Sequence, residues 1–342
     1  MQASHVGEPL RLGGLAVTIG LAAGALVLSV RSDGVFTRLL LLSAVPVFLA
    51  GFAEDLGYRV SPRGRFLASV IGAIVAIYLL GLWVPRGSLP GLDAVMGFAP
   101  TAIFVTIMVA AFFCHSVNLV DGMNGLASFT VGIGALGISV VAGLAGLGEI
   151  SALAALLAVA TMGFLPLNWP VARMFLGDGG AYGLGHILIW LAIATVARSA
   201  DVAVPAMLLV LFWPFADTIH SILRRALAGK PITEADRMHL HQKVRRGIEI
   251  VWLGRDSRAL SNPIATLILM PMIAAPVVTG VYMWRAPMVA WLALAAYGLV
   301  FSLMHLLITL AARNFRRSGA ASDTQRVRLA TVAAPLRGGH QS

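Results

Sequence analysis

Long apolar runs alternate with short polar stretches along most of the chain. A helix needs about 20 mostly apolar residues to cross the hydrocarbon core of a bilayer, and ten of the runs approach or exceed that length. The pattern therefore predicts an all-α, polytopic transmembrane helix bundle with about ten membrane-spanning helices. The predicted spans are 12–30, 38–53, 66–84, 99–117, 126–146, 150–167, 181–198, 203–223, 263–284 and 287–312.

Polar sequence interrupts this pattern at two places. One is the segment 224–262, which joins the last two predicted spans to the rest. The other begins at Arg313, is rich in Ala, Arg, Ser and Gly, and is expected to be disordered. We therefore predict an integral membrane domain at residues 1–312, which includes the cytoplasmic loop 224–262, and a polar, disordered cytoplasmic tail at 313–342. The chain shows no internal repeat, which disfavours the transporter folds built from repeats.

The composition supports lipid as the solvent. Hydrophobic residues make up 58% of the 342 residues and charged residues 12%, about half the charged share of a soluble domain. Cys114 is the one cysteine, which excludes a disulfide within the chain and argues against a zinc site built from thiolates.

The net charge of +10 is concentrated in alternate loops. Before the tail, 14 Lys and Arg residues fall on the side that receives the N-terminus and segment 224–262, against five on the other side. The positive-inside rule places the richer side in the cytoplasm, and this orientation rests on the segment 224–262. No basic run is interleaved with aromatics, so we expect no nucleic-acid partner.

Acidic residues also fall at the cytoplasmic ends of the predicted helices, at Glu54, Asp55, Asp121, Asp178 and Asp217. Glu54 and Asp55 are adjacent and directly follow an apolar span. Two neighbouring carboxylates at a membrane border repel each other and lose hydration, unless a cation or a shared proton compensates. A solvated acidic pair at a helix end is the alternative.

Asp121 lies in a segment with the residue types of a ligand-binding turn. Asn118 precedes it by three residues and shares its face if the helix continues that far. Gly122 and Gly125 permit the close approach of another backbone or of a ligand. A plain turn would use the same residues.

Asp178 is flanked by Gly177 and Gly179, just before a predicted span. This arrangement exposes the carboxylate and leaves backbone amides free, which suits a hard cation bound together with phosphate oxygens. The alternative is a helix N-cap, for which Asp is well suited.

The long cytoplasmic segment carries His239 and His241 two positions apart, beside Arg237 and Lys243. The two histidines would face one way on an extended segment but not on a helix. They could bind a metal, but the flanking cations favour a phosphate, and a solvated basic loop is the third option. Carboxylates for Mg²⁺ and cations for phosphate on one membrane face fit phosphoryl transfer from a soluble diphosphate donor to a lipid acceptor.

Six motifs in this order resemble those of the polyprenyl-phosphate N-acetylhexosamine-1-phosphate transferases, the MraY/WecA superfamily. The resemblance runs from about residue 9 to residue 241. The matching positions are Pro9, Arg11, Gly13 and Gly14 for Pro-x-Arg-x-Gly-Gly; Gly51 to Asp55 for Gly-x-x-Asp-Asp; Asn118 to Gly125 for Asn-x-x-Asp-Gly-x-x-Gly; Asn168 to Gly180 for Asn-x-x-Pro-Ala-x-x-Phe-x-Gly-Asp-x-Gly; Asp217, Thr218, Arg224 and Arg225 for the Asp-Thr and Arg-Arg pairs; and Asp236 to His241 for Asp-Arg-x-His-x-His.

The resemblance implies a bacterial inner-membrane enzyme whose active site faces the cytoplasm. Its substrates would be a UDP-linked N-acetylated sugar and undecaprenyl phosphate, its products a lipid-linked sugar pyrophosphate and UMP, and its cofactor Mg²⁺, or Mn²⁺ in its place. Membrane lipid surrounds such an enzyme, and the resemblance leaves room for a homodimer. By likeness, the catalytic residues are Glu54, Asp55, Asp121 and Asp178; the metal ligands are Asp178 and Asp55; and the substrate-binding residues are Asn118, Asn168, Arg237, His239 and His241.

The chain departs from the family pattern at several positions. Glu54 stands where Asp is usual, Val171 where proline is usual, and Gln242 where many members have another histidine. The absence of consecutive histidines favours the WecA-like branch over the peptidoglycan branch. Family members also have a helix before the first motif, so we expect an upstream start or a lost span.

Three other functions are possible for a membrane protein of this kind, and each predicts a sequence feature that this chain lacks. A transporter or lipid flippase would place charged residues near the middle of the membrane, where the predicted spans have few. A catalytically inactive scaffold would lack key acids, yet Asp55, Asp121 and Asp178 are present. The CDP-alcohol phosphotransferases need Asp-Gly-x-x-Ala-Arg, whereas here Asp121 and Gly122 are followed by Gly125 and Leu126.

Overall fold

The structure is a computed structural model that describes residues 11–31, 34–229, 238–253 and 257–332. Within these residues the backbone is almost entirely helical, as the hydrophobic pattern predicts. A short π-helical segment, Glu249–Leu253, separates the eleventh and twelfth helices. The helices are α1 (Gly13–Arg31), α2 (Val35–Asp55), α3 (Pro62–Leu80), α4 (Pro90–Met96), α5 (Ala99–Val120), α6 (Leu126–Leu144), α7 (Gly148–Asn168), α8 (Gly177–Arg198), α9 (Val204–Val210), α10 (Phe212–Leu227), α11 (Leu240–Ile248), α12 (Arg258–Tyr282) and α13 (Pro287–Val332).

Among the described residues, eight helices are long and apolar enough to cross a membrane by themselves. They are α2, α3, α5 to α8, α12 and the part of α13 up to Ala311. The first predicted span corresponds to α1, whose apolar part, Gly13–Leu28, is shorter. The predicted all-α polytopic bundle is therefore confirmed.

The eighth predicted span, 203–223, is not one straight helix. It consists of α9 and α10, which are bent by 84° at Leu211. Pro214 supplies the physical reason, because it has no N–H for the carbonyl of Val210 and its ring collides with that carbonyl. Helix α9 therefore ends at Val210, and Pro214 lies in the first turn of α10, where a proline is tolerated.

Helix α8 forms the centre of the bundle. It packs against α1, α2, α5, α6 and α7, and 94% of its apolar window is buried, compared with 11% for α13. A helix that is apolar on all sides belongs inside a large core or within other membrane helices. The N-terminal turn of α8, which carries Asp178, is consequently held in the middle of one end of the bundle.

Glycines let two neighbours approach this turn closely. A Cβ atom on Gly14 would lie 2.2 Å from the Cα atom of Gly180, and one on Gly51 would lie 2.6 Å from the carbonyl of Asp178. Small residues allow such close packing between membrane helices. The starts of α1 and α8, and the end of α2, therefore meet at one place.

The opposite end of α8 is held by Arg86. Its guanidinium donates hydrogen bonds to the carbonyls of Val196, Ser199, Ala200 and Val202. These bonds satisfy carbonyls that have no partner within the helix. Burial lowers the pKa of Arg86, and the negative charge of Asp93 opposes this shift.

The chain divides between Leu299 and Val300 into two compact units, and the site residues described below lie in the first. In the second unit, α13 continues past Arg313 to Val332, where the sequence predicts a disordered tail. Ala and Arg are strong helix formers, and the first proline after Arg313 is Pro335. Residues 333–342 lie outside the described part of the chain.

The predicted loop 224–262 is also partly helical. It contains α11 and the π-helical segment, and its residues 230–237 and 254–256 lie outside the described part of the chain.

Candidate functional site

Asp55 joins the end of α2 to the start of α8. Its Oδ1 atom accepts a hydrogen bond of 2.9 Å from the backbone N–H of Asp178, and its Oδ2 atom accepts one of 2.8 Å from Gly179. The first N–H groups of a helix have no partner within the helix. Asp55 supplies that partner from a different helix, and it thereby fixes the position of Asp178.

Asp178 lies in the first turn of α8 with a half-buried side chain. Its Oδ2 atom accepts a hydrogen bond from Nη1 of Arg65, at the start of α3. The guanidinium of Arg65 also lies 5.9 Å from the ring centroid of Tyr182, whose hydroxyl is 3.0 Å from Nδ1 of His115. In the sequence, Arg65 is only one of the 14 basic residues on its side of the membrane, and no motif points to Tyr182 or His115 as site residues.

Asp121 follows the last residue of α5 and completes the acidic group. Burial raises its pKa well above the ordinary value, the negative charges of Asp178 and Asp55 raise it further, and a backbone hydrogen bond from Gly177 opposes the shift. Its Oδ1 atom is buried and has no hydrogen-bond partner within the described residues. The structure thus brings Asp55, Asp121 and Asp178 together at one end of the bundle, as the sequence predicts.

The other two residues predicted near this group lie beside it. Glu54 has a buried Oε2 atom that no described residue contacts by a hydrogen bond, and it lies close enough to Tyr182 to interact with it electrostatically. Asn118 is half-buried, and its backbone carbonyl accepts a hydrogen bond from the N–H of Asp121. Asn118 therefore helps to shape the turn at Asp121, and the catalytic role of Glu54 and the substrate contact of Asn118 stay predictions.

Asn168 has a different position from the one expected of a substrate-binding residue. Its side chain is fully buried. Its Oδ1 atom accepts a hydrogen bond of 2.7 Å from the N–H of Gly125, and its Nδ2 donates one of 2.8 Å to the carbonyl of Met174. Both ends of the amide are used in linking the loop after Asp121 to the loop before Asp178. Asn168 therefore holds these two loops together, and its predicted contact with substrate stays a prediction.

Asp217, in α10, contacts both of the predicted histidines. Nδ1 of His239 lies 3.1 Å and Nδ1 of His241 lies 3.2 Å from its Oδ2 atom, and its Oδ1 atom accepts a hydrogen bond of 3.0 Å from the N–H of Leu240. His239 has an extended backbone and directly precedes α11. The two histidines therefore face the same way, as predicted for an extended segment, and their rings stack.

The other ring nitrogen of His241 points toward the acidic group. It is buried without a hydrogen-bond partner among the described residues, and a Cβ atom on Gly122, next to Asp121, would lie 3.7 Å from it. Burial lowers the pKa of His241, while the hydrogen bond and charge of Asp217 oppose this shift. Its predicted companion Arg237 lies outside the described residues.

The acidic group fits a magnesium ion better than a metal of the zinc type. The described residues contain no group of three or more His, Cys, Asp or Glu side chains set to hold a metal. Mg²⁺ uses only one or two carboxylates, and it fills its shell with water and substrate phosphates. Asp178 and Asp121 suit this chemistry, because Asp121 has a buried carboxylate oxygen that lacks a partner. Both oxygens of Asp55 already accept backbone hydrogen bonds.

Residues 37–196 match the model of "Glycosyl transferase family 4", and this stretch contains all three aspartates. The chain is also 29% identical over 235 residues to the "Probable undecaprenyl-phosphate N-acetylglucosaminyl 1-phosphate transferase" of Bacillus subtilis (strain 168). That match covers 68% of this chain and 65% of the relative, slightly less than two thirds of its length.

Two further relatives extend the similarity. The chain is 26% identical over 325 residues to the "Decaprenyl-phosphate N-acetylglucosaminephosphotransferase" of Mycobacterium tuberculosis (strain ATCC 25618 / H37Rv), covering 81% of this chain and 78% of the relative. It is 35% identical over 204 residues to the "Phospho-N-acetylmuramoyl-pentapeptide-transferase" of Pelotomaculum thermopropionicum, covering 54% and 61% respectively.

Proposed function

We propose that this chain is a member of glycosyl transferase family 4, whose model matches residues 37–196, and that it transfers a sugar 1-phosphate from a UDP-linked N-acetylated sugar to undecaprenyl phosphate. The products are a lipid-linked sugar pyrophosphate and UMP. The reaction takes place at the cytoplasmic face of a bacterial inner membrane and begins the synthesis of a cell-surface glycan. The names of the relatives, which act on polyprenyl phosphates, support the lipid acceptor.

The observation that carries this proposal is the meeting of three aspartates at the N-terminus of α8. Asp55 caps that terminus, and Asp178 lies in its first turn. Asp121 interacts electrostatically with both and has a buried oxygen that lacks a partner among the described residues. The dipole of α8 favours phosphate groups at this terminus, and a Mg²⁺ ion held by the aspartates would offset their negative charge. Since the group lies at the end of a membrane bundle, it can receive a soluble donor and a lipid phosphate together.

In the proposed step, a phosphate oxygen of the lipid attacks the β-phosphorus of the donor. The bond from that phosphorus to the bridging oxygen breaks, and the oxygen leaves with UMP. Asp178 and Asp121 would hold Mg²⁺, or Mn²⁺ in its place, and the ion supplies neutralisation of the diphosphate charge when bound. Asp55 keeps the N-terminus of α8 in place, and Arg65 lies beside Asp178, where a guanidinium can pair with phosphate oxygens.

The proposal is tested with purified protein, Mg²⁺, undecaprenyl phosphate and a panel of UDP-sugars, with release of UMP as the measurement. We expect release with an N-acetylated sugar and loss of release when Mg²⁺ is chelated. If no donor yields UMP while lipid and metal are supplied, the proposed reaction is wrong.

The assignment of Asp178 as a metal ligand is tested with a separate variant. We expect Asp178→Asn to lower UMP release by roughly 100-fold or more and to weaken the binding of Mn²⁺, measured by electron paramagnetic resonance without substrates. Asp201→Asn is the matched control, because Asp201 is an exposed carboxylate paired with Arg285. Full activity and unchanged Mn²⁺ binding in Asp178→Asn would rule Asp178 out as a ligand.

A further inference from the structure

Asp217 is a buried acid that the proposed chemical step does not use. Only 1% of its surface is exposed, and it lies in α10, just after the bend at Leu211. Its carboxylate receives hydrogen bonds from His239, Leu240 and His241, three consecutive residues at the start of α11. The carboxylate therefore sets both the position and the rotation of the two imidazole rings.

This geometry also decides which ring nitrogen carries the hydrogen. A carboxylate only accepts hydrogen bonds, so Nδ1 of each histidine is the donor to Asp217. In a neutral imidazole the other nitrogen is then an acceptor with a free lone pair. Nε2 of His241 is such an acceptor: it is buried, has no partner in the described part of the chain, and lies 3.7 Å from the position that a Cβ atom on Gly122 would occupy.

We propose that Asp217 is a positioning residue of the transferase, which holds His241 in the Nδ1–H form so that its Nε2 atom accepts a hydrogen bond from the nucleotide-sugar donor. This inference rests on the proposed function. The group that His241 accepts from is a hydroxyl or an amide N–H, both of which a UDP-linked N-acetylated sugar carries. The contact forms beside Gly122, next to the acidic group.

The flanking cations favour a phosphate near this segment, but the same geometry argues against a phosphate contact of His241 itself. A phosphate oxygen is an acceptor, and it would meet the lone pair of Nε2 rather than a hydrogen. A site that accepts a hydrogen bond from a substrate discriminates strongly against analogues that lack the donor group. His241 therefore contributes to the choice of donor rather than to the binding of its diphosphate.

Asp217→Asn separates this role from a merely structural one. The N–H of Leu240 can only donate, so the amide oxygen of the new asparagine takes the place of Oδ1. The amide NH₂ group then takes the place of Oδ2 and donates its two hydrogens to Nδ1 of His239 and Nδ1 of His241. All three hydrogen bonds are kept, but Nε2 of both histidines becomes a donor.

The first measurement is ¹⁵N NMR of histidine-labelled protein in detergent, which distinguishes the two neutral forms of the ring. The signal of His241, among eight histidines, is assigned by its loss in His241→Gln. We expect the Nδ1–H form in the wild type and the Nε2–H form in Asp217→Asn, with similar thermal unfolding of the two proteins. An Nε2–H form in the wild type would overturn the proposal.

The second measurement is the rate of UMP release against the concentration of the UDP-sugar. We expect kcat/KM for the donor to fall roughly 100-fold in Asp217→Asn, as a wrong histidine form costs other enzymes 100-fold or more, while KM for undecaprenyl phosphate stays unchanged. Asp201→Asn again serves as the control for the loss of a carboxylate. If His241 adopts the Nε2–H form in Asp217→Asn and the variant keeps full activity, the proposal is wrong, because a purely structural role of Asp217 would tolerate this substitution.

The two measurements also separate this inference from the proposed function. If the wild type releases no UMP with any donor, the transferase proposal fails, and the contact with a nucleotide sugar fails with it. The NMR arm still decides whether Asp217 sets the form of His241, because it needs no substrate.

Discussion

The carboxylate of Asp55 and the backbone N–H of Asp178 are joined by a hydrogen bond of 2.9 Å, although 123 residues separate them in the chain. The second oxygen of Asp55 accepts from Gly179 in the same turn. Through these two bonds Asp55, which belongs to α2, acts as an N-cap of α8. The two adjacent acids therefore differ in their contacts, because Glu54 makes no such bond with the described residues.

Asp55→Asn is expected to destabilise the protein as well as to inactivate it. The asparagine keeps one acceptor, but its NH₂ group faces the second backbone N–H, so one donor at the start of α8 loses its partner. Such a loss costs about 1–3 kcal/mol and displaces Asp178. Thermal unfolding in detergent and UMP release measure the two effects. Glu54→Gln is the matched control and should leave unfolding unchanged; equal stability of both variants would contradict the capping role.

Gly51→Ala is expected to separate α2 from the first turn of α8. The new methyl group would lie 2.6 Å from the carbonyl of Asp178, and relieving such a collision costs about 1–3 kcal/mol. Gly20→Ala is the control, because nothing lies within 4 Å of its Cβ position, and alanine favours a helix by roughly 0.5–1 kcal/mol over glycine. We expect lower thermal stability and activity only for Gly51→Ala. Parallel behaviour of the two variants would show that the contact is not close.

Asn168→Ala distinguishes a positioning role from a substrate contact. Its removal leaves the buried N–H of Gly125 and the partly buried carbonyl of Met174 without these hydrogen bonds, at a cost of about 2–4 kcal/mol. Asn118→Ala removes a half-buried amide for which no side-chain hydrogen bond supports the fold. We expect lower thermal stability for Asn168→Ala and a raised KM with normal stability for Asn118→Ala. Normal stability with a raised KM in Asn168→Ala would restore the substrate contact that the sequence predicts.

The membrane helices are largely predictable from the sequence because lipid forces every backbone group to find a partner within a helix. The bend at Leu211 is the main exception. Pro214 is visible in the sequence, but Pro46 lies inside α2 and Pro166 inside α7 without ending either helix. Whether a proline breaks a span depends on which neighbours satisfy the freed carbonyls, and these belong to other helices.

The acidic group was predictable because the alternation of loops assigns Asp55, Asp121 and Asp178 to one membrane face. The role of each of the three aspartates was not predictable. Asp55 and Asn168 bond to backbone groups that are distant in sequence, and residue type does not reveal such partners. Arg65 carried a signal, a cation in the loop after the acidic pair, but its contact with Asp178 depends on how α3 packs against α2 and α8.

The orientation of the bundle can be tested with two tyrosines at opposite ends of the membrane spans. Tyr58 lies in the turn after α2 and is 76% exposed, and Tyr282 ends α12 and is 85% exposed. The native thiol, Cys114, is fully buried and should stay silent toward a membrane-impermeant maleimide. We expect Tyr282→Cys to react in intact spheroplasts and Tyr58→Cys to react only in inverted vesicles, because the basic loops lie with Tyr58 on the predicted cytoplasmic side. The reverse pattern would put the aspartates on the outer face, where no cytoplasmic UDP-sugar reaches them, and the proposed reaction would lose its donor.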